Sequence, residues 1–216
     1  MPLRSGSRRR PDLSVALLQY RRRADRYDQE LLPFEPFRGQ AIEQLDLHAG
    51  DTVLDVGCGT GLSFAPLELR IGPHGHIVGV DPSPDMLVRA GSRITEHHWH
   101  NVELLRSGAA DAPLDGQADA ALFHFTHDVL RDPVAVGHVL EHLKPGAHVS
   151  ATGLQWAPPW MAATNAFVYA AALYSVSSLD GLACPWDRLA ARLEDVRVQT
   201  AWMGGIYILS GRVATH

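Results

Sequence analysis

At 216 residues, 46% apolar and 20% charged, the chain has the size and composition of one globular domain with a sizeable core, which excludes a disordered or fibrous protein. No apolar run reaches the roughly 18 residues that a membrane-spanning helix needs, and the nearest candidate, residues 161–176, is interrupted by Thr164 and Asn165. Net charge is −5 but unevenly spread: residues 1–26 hold eight arginines against Asp12 and Asp25, and Lys144 is the only lysine. A solvated basic leader is the simplest reading of that cluster, with an anionic lipid surface or nucleic acid as the alternatives. Ser7-Arg8-Arg9 is followed by Pro11-Asp12 where an export signal would need an apolar core, so export is not expected. Cys58 and Cys184 make no disulfide framework and point to a reduced, cytoplasmic protein.

Apolar spacing predicts a helix over residues 13–32, ended by Pro33 and Pro36, and a second over 37–47. Strand and helix signals then alternate. Strands are expected at 52–56, 76–80, 102–105, 118–123 and 148–152, and helices at 62–69, 83–94 and 133–143, with Ser83 as an N-cap. Such alternation builds right-handed crossovers and a doubly wound, mostly parallel α/β sheet. Residues 155–184, rich in aromatics, alanine and proline, read as one or two helices inserted over the carboxyl edge of the sheet. Residues 196–202 and 206–209 read as an antiparallel finishing pair. A single domain is expected: a basic leader and helical cap over 1–47, a core over 50–153, a lid over 154–186 and closing strands over 187–216.

The segment Val53-Leu54-Asp55-Val56-Gly57-Cys58-Gly59-Thr60-Gly61 carries the chemistry. A buried strand runs into three glycines at alternate positions, where the backbone can approach a ligand more closely than any side chain would allow. A dinucleotide site would need a third glycine of the G-x-G-x-x-G pattern, but that position holds Leu62 counted from Gly57, or Phe64 counted from Gly59. No P-loop lysine is near. Asp81 lies at the end of the next strand, where a carboxylate can accept from vicinal ribose hydroxyls. A nucleoside without phosphates remains, and S-adenosylmethionine fits.

With Val80-Asp81-Pro82-Ser83-Pro84-Asp85-Met86-Leu87 and His138-Val139-Leu140-Glu141-His142-Leu143-Lys144-Pro145-Gly146 following in order, the chain resembles the class I S-adenosylmethionine-dependent methyltransferases over residues 50–153. Within them it is most similar to the ubiquinone/menaquinone C-methyltransferase-like group and the bacterial phospholipid N-methyltransferases, whose N-terminal Tyr-Asp is matched by Tyr27-Asp28. The resemblance implies a Rossmann-like seven-stranded sheet and a set of roles. The backbone of Gly57, Cys58, Gly59 and Gly61 would pass the methionine portion of the cofactor, and Asp55 would hold the turn and the cofactor amino group. Asp81 would take the ribose hydroxyls, and Pro82 and Met86 the adenine faces. The family's Gly-Asp-Ala after the third strand reads Gly108-Ala109-Ala110-Asp111 here, so Asp111 and Ala110 stand in for the adenine contacts. Phe123 and His124 would border the sulfonium and the acceptor, with Tyr27 closing over the cofactor. S-adenosylhomocysteine would be the product.

Methyl transfer from a sulfonium needs mainly alignment and exclusion of water, and a base only where the nucleophile must lose a proton. His124 and His127 are the candidate bases, His124 the better placed, at the tip of its strand. No metal is expected: His138-x-x-Glu141-His142 continues into the methyltransferase pattern as a surface helix, and His97-His98-Trp99-His100 reads as a polar loop. Trp156, Trp160, Met161, Phe167, Tyr169, Tyr174 and Trp186 collect in the lid and favour a small apolar or aromatic acceptor. Two alternatives stand beside that reading. One is a phospholipid or quinone methyltransferase touching the membrane through the basic N-terminus, and the other a cofactor-binding protein of the same fold that transfers no methyl group, as in a pericyclase. Nucleic acid is not expected as a partner, because the arginines lie in one leader rather than along a face.

Overall fold

The computed structural model describes residue 28, residues 31–175 and residues 178–215. Tyr27, and most of the helix predicted over residues 13–32, lie outside the described residues.

Seven strands form one sheet in the order β3-β2-β1-β4-β5-β7-β6. The strands are β1 (Thr52–Val56), β2 (His76–Val80), β3 (Val102–Leu105), β4 (Ala118–His124), β5 (Leu143–Leu154), β6 (Glu194–Ala201) and β7 (Ile206–Arg212). The pairs from β3 across to β5 are parallel, and β7 runs antiparallel to both β5 and β6. The switch from parallel to antiparallel reflects connection length: β6 and β7 are joined by one short turn, whereas parallel neighbours need a crossover. The central strands are apolar along their length because both sheet faces are covered, and four of the five β1 residues are buried.

One face carries α1 (Glu35–Glu43), α2 (Phe64–Ile71) and α3 (Pro84–His97). There Ala41, Ile42, Phe64, Leu67 and Ala90 pack against Val53, Ile77, Ala120, Leu122 and Ile208. On the opposite face α4 (His127–Arg131), α5 (Pro133–Glu141) and α7 (Asp187–Ala190) bring Leu130, Val136, Val139 and Leu189 onto Leu54, Val56, Phe123, Ala151 and Leu209. Over the carboxyl edge, α6 (Ala162–Ser175) sets Val168 and Ala172 on Leu154 and Ile206. The local signals act as the sequence suggests. Ser83 accepts from the Met86 N–H to start α3, Asp132 accepts from the Val134 N–H at 2.9 Å to start α5, and Gly72 at φ 67° ends α2.

Several elements depart from expectation. β5 is longer than residues 148–152, because Leu143 is buried and pairs with Ala118, while the Gly146 N–H donates to the Val213 carbonyl. α5 therefore stops at Glu141 rather than 143. The one-turn helices α4 and α7 were not predicted, since four or five residues are too few to show a 3.6-residue period. Among the described residues, no helix is long and apolar enough to cross a membrane.

Gly61 is held at φ 76°, and a Cβ there would lie 2.5 Å from the Phe64 ring. Gly61→Ala is expected to destabilise the domain by about 1–3 kcal/mol, from both the left-handed backbone and the clash. A thermal melt showing no loss of stability would contradict this packing.

Candidate active site

β1 ends at Val56, and the chain turns through Gly57, Gly59 and Gly61, all at positive φ. The turn is pinned to the end of β2. The N–H groups of Gly57 and Cys58 donate to the Val80 carbonyl at 2.7 and 3.1 Å, and the Gly59 N–H donates to Asp81 Oδ2 at 2.9 Å. Asp81 Oδ1 accepts from the Ser83 N–H at 2.8 Å. Burial pushes the Asp81 carboxyl up to about 6, against the pull of those two donors. Each of its oxygens keeps a further lone pair with which to accept from a ligand hydroxyl.

Along a strand, successive side chains point to opposite faces. Asp55 therefore shares a face with Val53, and His124 with Leu122, and both emerge under α1. The cavity there measures about 320 Å³ out to its open mouth, and Arg38, Asp55, Gly57, Gly59, His124 and Phe125 line it. Arg38 lies on the buried stripe of α1 with Ala41 and Ile42, and Leu45 is buried just beyond the helix. Glu35 binds one of its terminal nitrogens, while its Nε has no partner. Asp55 Oδ2 is also without a partner, as are both ring nitrogens of His124. Burial raises the Asp55 carboxyl to about 7, although Arg38 pulls it down. The same burial, reinforced by the Arg38 charge, holds the His124 imidazole well below its ordinary range and therefore neutral.

Buried polar groups without partners are rare in folded proteins. Here a guanidinium nitrogen, a carboxyl oxygen and an imidazole line one small cavity beside a glycine turn. The opposed charges of Arg38 and Asp55 match the α-carboxylate and α-ammonium of an amino acid. Asp81, at the far end of the turn, matches a ribose diol. The residues present thus fit S-adenosylmethionine from its methionine end to its ribose.

The other residues singled out in the sequence fall as follows. Cys58 lines the cavity, its thiol pushed well up by burial and by the charge of Asp55. Pro82 is half-buried, and Met86 is buried in the first turn of α3. Ala110 and Asp111 sit in the turn after β3, Ala110 half-buried and Asp111 exposed, and neither lines the cavity. Phe123 is fully buried on the face opposite His124, and the cavity is bordered instead by Phe125, which leaves the strand at φ 57°. The reason is the strand's own alternation, which cannot point Phe123 and His124 the same way. His127 begins α4 outside the cavity lining, with Nε2 at 3.1 Å from the Asp180 carbonyl, and burial lowers its pKa. His138 Nε2 and His142 Nδ1 each lie 2.8 Å from a backbone carbonyl.

Sequence reasoning missed Arg38, Phe125 and a clasp on the turn. Asp28 accepts from the Thr60 hydroxyl at 2.6 Å and from Arg93 at 2.8 Å, while Arg93 Nε donates to the Thr60 carbonyl at 3.1 Å. A signal for Arg38 was present: it is a charge placed in register with Ala41 and Ile42 on an apolar helix stripe.

A seven-stranded sheet of this order, with a glycine turn after β1 and an acid ending β2, has the class I S-adenosylmethionine-dependent methyltransferase fold. The N-methyltransferase NodS from Bradyrhizobium japonicum WM9, solved with S-adenosyl-L-homocysteine, superposes with a TM-score of 0.67 at 17% identity, over 92% of this chain and 98% of that one. Residues 53–146 match the model of a methyltransferase domain family. A demethylmenaquinone methyltransferase of Listeria monocytogenes is 31% identical over 135 residues, 61% of this chain and 57% of the relative. A trans-aconitate 2-methyltransferase of Azoarcus is 34% identical over 123 residues, 55% of this chain and 47% of the relative. The chain thus spans about half the length of the curated relatives it matches.

Because burial raises the folded pKa of Asp55 from 3.8 to about 7, the fold favours the protonated carboxyl. That contribution to stability is complete below pH 3.8 and is lost as pH rises through about 7. Asp81 acts in the same direction up to about 6. In the ligand-free protein, this contribution is expected to lower the melting temperature between about pH 4 and 7, the interval between the unfolded and folded pKa values of Asp55. Asp55→Asn should flatten that segment, and an unchanged slope in the variant would refute the assignment.

Proposed function

We propose that this protein transfers a methyl group from S-adenosylmethionine to a small-molecule acceptor, in the cavity between α1 and the tip of β4. The observation that carries this reading is the pair of opposed buried charges, Arg38 and Asp55, each with an unpartnered atom, beside the turn that Asp81 pins. Bound there, S-adenosylmethionine would supply an activated methyl group. Asp55 would hold the cofactor's ammonium, Arg38 its carboxylate and Asp81 its ribose, while the Gly57–Gly61 backbone lets the chain lie against it. Tyr27 remains part of this proposal as a residue closing over the cofactor, with Pro82, Met86, Ala110 and Asp111 around the adenine.

His124 is the residue we place against the acceptor. It is neutral at physiological pH, so one of its nitrogens is free to accept a hydrogen bond from the nucleophile. Phe125 presents a ring beside it, 4.8 Å from the imidazole centroid, and favours a planar or apolar acceptor. His127 is bound to the segment around Asp180 and serves to fix α4, on which the acceptor wall rests. The two curated relatives are named for different acceptors, and a small organic molecule is what those names share. A reduced, cytoplasmic setting is the location we infer, in keeping with the two unpaired cysteines.

Calorimetry with S-adenosylhomocysteine tests the cofactor half. Affinity is expected to rise with pH through about 7, as Asp55 ionises to receive the ammonium. It should fall roughly tenfold to a hundredfold in Arg38→Ala, the range for a lost charge-assisted hydrogen bond. Absence of binding in the wild type would end this reading.

A labelled-methyl assay over quinone, phenol, carboxylate and amine panels tests the other half. With an accepted substrate, His124→Ala should lower kcat by about 10²–10³ while S-adenosylhomocysteine affinity stays near that of the wild type. A kcat that does not change would remove His124 from the chemistry. Cofactor binding without S-adenosylhomocysteine formation on any acceptor would favour the non-transferring alternative.

A further inference from the structure

From Trp156 through Ser175 the chain contains no Asp, Glu, Lys or Arg, yet much of this stretch lies on the surface. α6 buries Thr164, Val168 and Ala172 and turns a wide arc outward. Trp160 is 80% exposed, Met203 66%, and Tyr169, Leu173, Phe167 and Trp202 between 38% and 49%. A surface helix ordinarily carries charge on its outer face. The turn between β6 and β7 belongs to the same patch: the Trp202 and Phe167 rings stand 4.4 Å apart, and Gly204 and Gly205 bring the turn against Pro158 and Thr164. Trp202 and Met203 both hold positive φ, a strained conformation for large side chains, while exposing apolar surface to solvent.

This patch is continuous with the cavity. His124 touches Phe125 at 4.8 Å, Phe125 touches Phe34 at 5.0 Å, Phe34 lies 6.4 Å from Phe167, and Phe167 reaches Trp202. A row of rings thus runs from the proposed acceptor site to the exposed rim. The arginine-rich stretch of residues 1–26 joins the described chain at Asp28 and Leu31, and Leu31 lines the cavity three residues before Phe34. The described chain that follows this cationic sequence thus begins at the cavity, beside the uncharged aromatic face. That pairing suits an anionic bilayer, where Trp and Tyr settle at the headgroup boundary and arginines bind acidic lipid.

We propose that α6 and the β6–β7 turn form a membrane-docking face for an anionic lipid surface, and that the ring row conducts a lipid-dissolved acceptor to His124. The second clause rests on the methyltransferase reading; the first does not. The full chain is mixed with vesicles of phosphatidylcholine containing about one-third phosphatidylglycerol, with pure phosphatidylcholine alongside, and sedimented. The wild type is expected to bind the anionic vesicles, more weakly as salt is raised, with a blue shift in tryptophan emission. Trp160→Ser combined with Met203→Ser should lower partitioning roughly tenfold or more. That variant should keep wild-type affinity for S-adenosylhomocysteine, which shows that it is folded.

Failure of the wild type to bind, or equal binding by the double variant, would overturn the docking face. So would a wild-type dimer that the variant dissociates without any vesicle affinity, because the patch would then belong to a second copy. Because vesicle binding is read without turnover, its failure is separate from a failure to bind S-adenosylhomocysteine.

Discussion

Everything at the carboxyl edge of this sheet depends on how the turn after β1 is fastened to β2. Three N–H groups of that turn donate to the last carbonyl of β2 and to the carboxylate that follows it. The constraint fixes where Asp81 can point, how closely the Gly57–Gly61 backbone can approach a ligand, and where α2 begins. It also explains the glycines, since a chain that must bend through three left-handed positions within five residues has few other residues to choose from. The same fastening brings the carboxylate proposed to meet a ribose into the protein's own hydrogen-bond network, so the proposed ligand site and the fold share an atom.

The second ingredient is electrostatic. Asp55, Arg38 and His124 sit where water is scarce, and each has at least one polar atom without a partner. Such groups destabilise a fold unless a ligand satisfies them. Arg38 governs its two neighbours in ways that suit the proposed chemistry. It draws the Asp55 carboxyl downward and, together with burial, keeps the His124 ring uncharged. A neutral imidazole can accept from an acceptor molecule, and a carboxyl poised near neutrality can ionise when a cation arrives.

The core of the fold was legible because its signals are local and periodic. β1, β2 and β3 have the bounds expected from their apolar runs, and Ser83 caps α3 as its position before Pro84 suggested. Asp55, Gly57 and Asp81 were legible as candidates because glycines and carboxylates at the ends of adjacent parallel strands mark a turn that can admit a ligand. What escaped depended on tertiary placement. β5 extends through Lys144-Pro145-Gly146, punctuation that normally ends an element, because a buried Leu143 still finds a partner in Ala118. Strand parity excludes Phe123 once His124 is known to face the cavity, whereas Phe125, of the same parity as Phe123, reaches the cavity only because its backbone leaves the strand at φ 57°, which no periodic pattern signals. Arg38 was hidden in an apolar helix stripe, where a single charge looks like noise until the sheet beneath it is seen.

The clasp between Asp28, Thr60 and Arg93 differs in kind from the charges inside the cavity. Arg93 and Asp28 are about a quarter and a third exposed, so dissolved ions reach them, whereas Arg38 is all but sealed. Ionic strength therefore acts on the two sets unequally, loosening the clasp while leaving the interior charges nearly untouched. Asp28 is thus tied to the glycine turn by a contact that the surroundings can tune, and the pocket keeps its polarity whatever the salt.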